Sequence, residues 1–222
     1  MRVLTLSDEV VPVVYSMQIK ERFADVDLIL ACGDLPYYYL EYCVSLLNIP
    51  CVYVAGNHDK DEWTGDGELL TYPRGCTSVE DRIVTSQGLS IAGLGGSMRY
   101  NNESGAQYTE SQMLLRMLRL ATRVRLYTAL TRRRLDVMLS HAPLAGIHDA
   151  ADRPHRGSHA FVTFQRWFRP AYWIHGHVHR NYSYGVPTET YYNQTMVLNT
   201  AGYRHMTIDR QANTGKTGKT DV

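Results

Sequence analysis

DLILACGD, residues 27–34, runs from an aspartate through five apolar or small residues into a glycine and a second aspartate. An unbroken apolar run of this length, closed by a turn former, is the pattern of a strand buried on both faces. VLTLSD (residues 3–8) and CVYVAGNHD (residues 51–59) repeat the plan on either side. The intervening segments, residues 12–23 and 36–47, read as helices, and each opens on a proline whose missing N–H costs nothing in a first turn. The result is βαβαβ, the signature of a mostly parallel sheet with helices on its faces.

Further along, residues 61–76 are polar and glycine-rich and read as a long loop. Residues 82–86 and 89–94 form a hairpin across Gln87-Gly88. Residues 109–130 read as a helix with Leu114, Met117, Leu118, Ala121 and Val124 on one stripe and Arg116, Arg119 and Arg123 off it. A strand (135–140), a loop holding three histidines (141–158), a helix (161–168) and a strand (171–175) follow. Residues 182–209 read as antiparallel strands. The fold class is α/β, as one domain over residues 1–210, and the polar tail 211–222 is expected to be disordered.

Composition narrows the function. Of 222 residues, 44% are hydrophobic and 20% charged, as in an ordinary globular chain. Lys and Arg total 23 against 22 Asp and Glu, so nothing marks a nucleic-acid binder. No apolar run reaches the ~18 residues of a membrane helix. Cys32, Cys43, Cys51 and Cys76 form no CxxC pair and read as thiols in a reducing, cytoplasmic setting, with a Cys32–Cys51 disulfide disfavoured.

The chemistry lies where strands end. Residues 3–7 run into Asp8, 27–33 into Asp34, 51–56 into Asn57, His58 and Asp59, 135–140 into His141, and 171–176 into His177 and His179. In an open α/β sheet the carboxyl ends of parallel strands share one edge, so these side chains converge. Asp, Asn and His donors suit one or two divalent ions such as Mn, Fe, Zn or Ni. Any one of these residues alone would read as a cap, a turn former or a satisfied core histidine; all of them together, in order, do not.

Gly33-Asp34, Gly56-Asn57-His58-Asp59, Ser140-His141 and Gly176-His177-Val178-His179 resemble four of the five motifs of the calcineurin-like metallophosphoesterases. The resemblance spans nearly the whole chain. It implies a four-layer α/β/β/α sandwich with a dinuclear metal site, manganese being one candidate. Asp34 would bridge two ions, Asn57, His141 and His177 would complete one site, and Asp8 and His179 would serve the other. His58 would stand above them and assist the leaving group. Asp59 reads either as a carboxylate holding that imidazole or as a turn residue, the turn being slightly favoured. The implied reaction is hydrolysis of a small phosphorylated substrate by metal-activated water, a diester ahead of a monoester.

One motif departs from the family. Asp8-Glu9-Val10 stands where Asp-x-His is usual, and Val10 cannot ligate. His148 and His155 are the candidate substitutes, whereas Glu9 should leave the strand end on the other face. The departure also opens a second reading, a scaffold or binding protein that has lost part of its site. For substrate contact, Arg99 offers a phosphate fork, and Asn101, His148 and His155 lie in the same or a neighbouring loop. Tyr37, Tyr38 and Tyr100 could stack on a ring. The arginines from Arg116 to Arg134 read as a solvated helix face, Gly215-Lys216-Thr217 lacks the spacing of a phosphate loop, and His175 reads as structural.

Overall fold

The structure, a computed structural model, describes residues 1–101, 105–179 and 187–209. The first sheet is built from β1 (Arg2–Ser7), β2 (Leu28–Ala31), β3 (Cys51–Tyr53), a short strand β6 (Cys76–Ser78) and the final strand β15 (Gly202–Thr207), in the order β15-β1-β2-β3-β6. Its members are parallel except β15, which runs antiparallel to β1 with Leu4 opposite His205. Between β3 and β6 lies a small hairpin of β4 (Glu62–Trp63) and β5 (Leu69–Leu70). The expectation of a plain loop over 61–76 is corrected here. The hairpin places the Glu62 carboxylate where it accepts the amides of Tyr37 (2.6 Å) and Tyr38 (3.3 Å), satisfying two orphan donors at the start of the helix that follows β2.

The second sheet has the order β13-β14-β12-β11-β8-β7, from β7 (Ile83–Ser86), β8 (Leu89–Leu94), β11 (Val137–Ser140), β12 (Tyr172–His175), β13 (Glu189–Tyr192) and β14 (Thr195–Asn199). A two-stranded ribbon, β9 (Ser97–Met98) with β10 (Gln107–Tyr108), sits beside it. The hairpin at Gln87-Gly88 turns with both residues at positive φ, as a tight two-residue turn demands. The C-terminal strands are not uniformly antiparallel. β14 runs parallel to β12 and antiparallel to β13.

Helices α1 (Ile19–Arg22), α2 (Tyr37–Leu47), α3 (Glu110–Thr131) and α4 (His159–Phe168) cover the outer faces. The period-2 geometry of strands divides the apolar residues among three cores. Leu28 and Leu30 of β2 meet Ile91, Val137 and Ile174 between the sheets. Ile29 and Ala31, their neighbours on the strand, pack under α1 and α2 with Ile19, Tyr39 and Leu40. On the far side Ala92, Met138 and Trp173 pack under α3 and α4 against Met117, Leu120 and Phe161. This is the four-layer α/β/β/α sandwich.

Two helical expectations need correction. Residues 12–18 are not helical, and only Ile19–Arg22 is. Val11, Val13 and Val14 pack against the core under α2, and β-branched side chains gain little from a helix. In α3 the buried face is Met113, Arg116, Met117, Leu120, Ala121 and Val124, while Leu114 and Leu118 are exposed. Arg116 is therefore not part of a solvated face. Its guanidinium pairs with Glu80 and Asp81, donates to the Gly95 carbonyl (2.9 Å) and lies over the Tyr108 ring at 4.1 Å. All four cysteines are free thiols. Among the described residues no helix is long and apolar enough to cross a membrane. The expectation for residues 211–222 lies outside the described residues.

Candidate active site

β1, β2 and β3 of the first sheet and β11 and β12 of the second deliver their following residues to one edge of the sandwich. Asp34, His141 and His177 each present a donor atom, and these atoms lie within 4.8 Å of one another. The strand ends approach too closely for ordinary side chains. A Cβ on Gly56 would collide with the Asp34 carboxylate, and one on Gly176 would collide with Ser7 and Asp8.

His141 is buried completely. Its Nδ1 donates to the Cys32 carbonyl (2.7 Å), which fixes the ring. Its Nε2 faces two oxygens, Asn57 Oδ1 at 3.1 Å and Asp34 Oδ2 at 3.3 Å. A neutral imidazole would aim a lone pair at both acceptors, so the arrangement calls for a positive charge between them. Burial disfavours a charged ring, but Asp34, by charge and hydrogen bond, and then Asp8 and the Cys32 carbonyl outweigh it and raise His141 to about 9. Burial likewise opposes ionisation of Asp34. His141 and the His58 amide overcome this and hold the carboxyl well below the usual carboxylate range.

His177 is set up differently. Its Nε2 donates to the Pro154 carbonyl at 2.7 Å, and burial lowers its pKa to about 3. The ring is therefore neutral, with Nδ1 left as the lone-pair donor, the usual way a carbonyl orients a metal-binding histidine. Its backbone N–H is held by both oxygens of Asp8 at 3.0 Å. Burial pushes the Asp8 carboxyl up, against the lowering pull of His141 and Ser7. The donor set therefore fits a divalent cation: one neutral imidazole, oriented carboxylates, and an imidazole held cationic in a place where its Nε2 would otherwise ligate.

His179 and Asp8 approach at 4.0 Å. Glu9 Oε1 stands 3.3 Å from His179 Nδ1, on the opposite edge of the ring from the Nε2 that faces Asp8, so Glu9 orients that imidazole from behind. Strand alternation misplaces it because Asp8 leaves β1 at φ 67°, a left-handed turn that rotates the next side chain inward. His155 packs its ring 5.4 Å from that of His177 and bonds Asp152, so it stays at the margin. His148 is corrected: both of its ring nitrogens are engaged, by His175 at 3.0 Å and Thr190 at 2.8 Å, which leaves no lone pair for a cation or substrate. His175 is buried and structural.

His58 is exposed above the cluster. Its amide donates to Asp34 (2.7 Å) and its Nε2 contacts the Tyr100 hydroxyl at 3.3 Å. Of the two readings of Asp59, the structure takes the turn residue and not the carboxylate behind the His58 imidazole. Its carboxylate accepts the amides of Gly56 (2.9 Å) and Leu35 (3.2 Å) and braces the two strand-end turns against each other. Burial raises Asp59 to about 6, despite these bonds. Arg99 and Asn101 line a cavity with Tyr100, although Asn101 also accepts from Gln107 (2.7 Å). Tyr37 is buried, which removes it as a stacking surface, while Tyr38 packs on Tyr15 and stays exposed on its other side. Sequence reasoning missed Pro154 and Cys32, which act through backbone carbonyls and carry no side-chain signal.

A family model for calcineurin-like phosphoesterases matches residues 8–181. One solved crystal structure, 14% identical, superposes over 92% of this chain and 94% of its own with a TM-score of 0.62. The TT1561 protein of Thermus thermophilus is 14% identical over 90% of this chain and 89% of its own, with a TM-score of 0.58. GAP50, described as the anchor in the inner membrane complex of Plasmodium, is 12% identical over 90% and 70%, with a TM-score of 0.50. None of the curated proteins compared matches significantly. These neighbours share the fold, and the family match spans most of the sequence and takes in the strand-end donors from Asp8 to His179; the chain belongs to the calcineurin-like phosphoesterase family.

Proposed function

We propose that the chain hydrolyses a phosphate ester, a diester in the finer form of the reading, at the Asp34–His141–His177 cluster. Family membership makes metal-dependent phosphoester hydrolysis the general reaction class. The observation that carries the reading is His141 Nε2 directed at both Asn57 Oδ1 and Asp34 Oδ2, an arrangement that requires a positive charge. Asp34, Asn57, His141 and His177 would hold one ion, and Asp8 and His179 with Asp34 a second, with Glu9 orienting the His179 ring. Bound divalent ions would supply Lewis acidity to the phosphoryl oxygens and a water acidic enough to attack near neutral pH.

The chain's own groups do the rest. His58, exposed beside the cluster, is placed to give a proton to the departing oxygen. Tyr100, in contact with its Nε2, steadies the ring. Asp59 keeps the two turns together, and the Pro154 carbonyl holds His177 as a neutral donor. His148 cannot fill the position left by Val10, since both of its nitrogens are engaged. An exposed His58 favours an enzyme over a scaffold, which needs no leaving-group acid. Four free thiols accord with the reducing, cytoplasmic setting.

The test joins elemental analysis to hydrolysis of p-nitrophenyl phosphate and bis(p-nitrophenyl) phosphate with added Mn²⁺. Asp34→Asn and His177→Ala are expected to lose both metal and activity. His58→Ala should keep its metal and slow by roughly 10²–10⁴-fold, the usual worth of a positioned acid. Full activity in Asp34→Asn would end the reading.

A further inference from the structure

Beside the cluster lies a cavity of about 550 Å³ that the reaction as described does not use. That is room for a body the size of a nucleoside phosphate. Three guanidiniums line it: Arg99, Arg153 and Arg156. Among the described residues Arg99 touches two neutral acceptors, the Gln107 carbonyl (3.4 Å) and Gln112 (3.5 Å). Among the described residues, none of the three forms an ion pair. The one carboxylate among the described lining residues, Glu110, accepts from Ser158 (3.1 Å) and the Ala160 amide (2.7 Å) at the start of α4. Three arginines against one carboxylate leave the described lining with an excess of positive charge. Two tyrosines, Tyr100 and Tyr108, add ring surface.

The cavity is continuous with the proposed reaction centre on two sides. The Tyr100 hydroxyl lies 3.3 Å from His58 Nε2 and 3.4 Å from Asn57 Nδ2. Arg153 directly precedes Pro154, whose carbonyl holds His177. The side on which His58 would protonate the departing oxygen is therefore the side that opens into the arginines.

We infer that this cavity receives the leaving group of the ester, and that this group is a nucleotide: a ring-bearing alcohol that carries a phosphate of its own. The inference rests on the hydrolytic reading above. In the step, the oxygen of water bonds to phosphorus and the ester P–O bond breaks. The departing oxygen takes a proton from His58, and the proton released by water restores that histidine. The nucleotide leaves as a free alcohol with its own phosphate intact. Arg153 and Arg156 hold that phosphate, Arg99 supports them, and the tyrosines hold the ring.

Binding to EDTA-treated protein tests this without catalysis, by calorimetry with adenosine 5′-monophosphate, adenosine and inorganic phosphate as probes. The monophosphate is expected to bind at least tenfold tighter than either of the others. The double variant Arg153→Ala/Arg156→Ala should erase that advantage while unfolding at the wild-type temperature. Arg153→Lys should restore part of it if charge is what matters. Equal binding of the monophosphate by wild type and double variant, no detectable binding, or equal binding of inorganic phosphate would each overturn the inference. If wild type binds as expected yet hydrolyses no ester, the hydrolytic reading falls while the cavity's specificity stands. If esters are cleaved but the arginines make no difference to binding, the reverse holds.

Discussion

Arg116→Met is the most informative perturbation of the scaffold. It keeps roughly the volume of the side chain and removes its charge. Arg116 is 9% exposed, and its guanidinium pairs with Glu80 and Asp81, meets the Gly95 carbonyl and lies over Tyr108. Breaking one partner of a fully buried pair costs about 3–5 kcal/mol. Glu80 retains 30% exposure, and water there relieves part of the loss, so we discount the cost to about 2–3 kcal/mol. For a chain of this length that corresponds to roughly 4–12 °C in melting temperature. The pH dependence separates charge from packing. Burial already raises the Glu80 pKa even with Arg116 beside it. Without Arg116 it rises further, and a carboxyl whose folded pKa is raised is destabilising once pH exceeds its unfolded value. The variant's deficit should therefore be larger at pH 8 than at pH 5, and Glu80→Gln in the same background should recover part of it. Urea unfolding followed by circular dichroism at both pH values measures this. A loss under about 0.5 kcal/mol at both, the expectation for a solvated helix face, would refute the argument.

At the proposed second metal site, Glu9→Gln is expected to weaken binding about tenfold by titration, because it releases the His179 ring, and Val10→His to strengthen it, because an imidazole there supplies the donor that the first motif lacks. If neither variant changes the affinity, another group completes that site. His148 contributes to the acid limb of stability. Burial, with Arg204 adding to it, lowers its pKa from 6.5 to about 4, so the folded state keeps it neutral. A histidine with a lowered folded pKa contributes stability above its unfolded value, lost as pH falls from about 6.5 toward 4. The gap of about 2.5 pH units corresponds to about 3 kcal/mol. His148→Asn should flatten that limb in denaturant titrations between pH 7 and 4.5, and an unchanged slope would remove His148 as its cause.

What the sequence makes legible is local. Strand runs such as 27–34 announce themselves because burial on both faces forbids polar residues until the chain exits, and the exit is where donors appear. Asp8, Asp34, Asn57, His141, His177 and His179 are all readable in that way. Residues whose roles depend on a partner far along the chain are not. Arg116 looks like any helix arginine until Glu80 and Asp81 arrive from another element. His148 looks like a loop ligand until His175 and Thr190 occupy both nitrogens. Asp59 sits beside His58 in sequence, yet its carboxylate turns back to Gly56 and across to Leu35 because those amides would otherwise be buried without acceptors.

Glu9 escapes the sequence for a sharper reason, and it explains how the site is assembled. Alternation along a strand holds only while the backbone stays extended. Asp8, Asp34 and His177 all leave their strands at positive φ, 67°, 54° and 69°. Such a conformation costs a non-glycine residue on the order of 1 kcal/mol or more, unless the surroundings fix it. Here the surroundings are the other donors. Asp8 holds the backbone amide of His177, and Asp34 holds that of His58. The same side chains that face the cluster thus pin one another's turns. The three left-handed exits aim the carboxylates and imidazoles before any cation arrives, and the cost of ordering them is met by folding rather than by binding. It is the cooperation among turns, invisible in any single motif, that carries Glu9 round to His179.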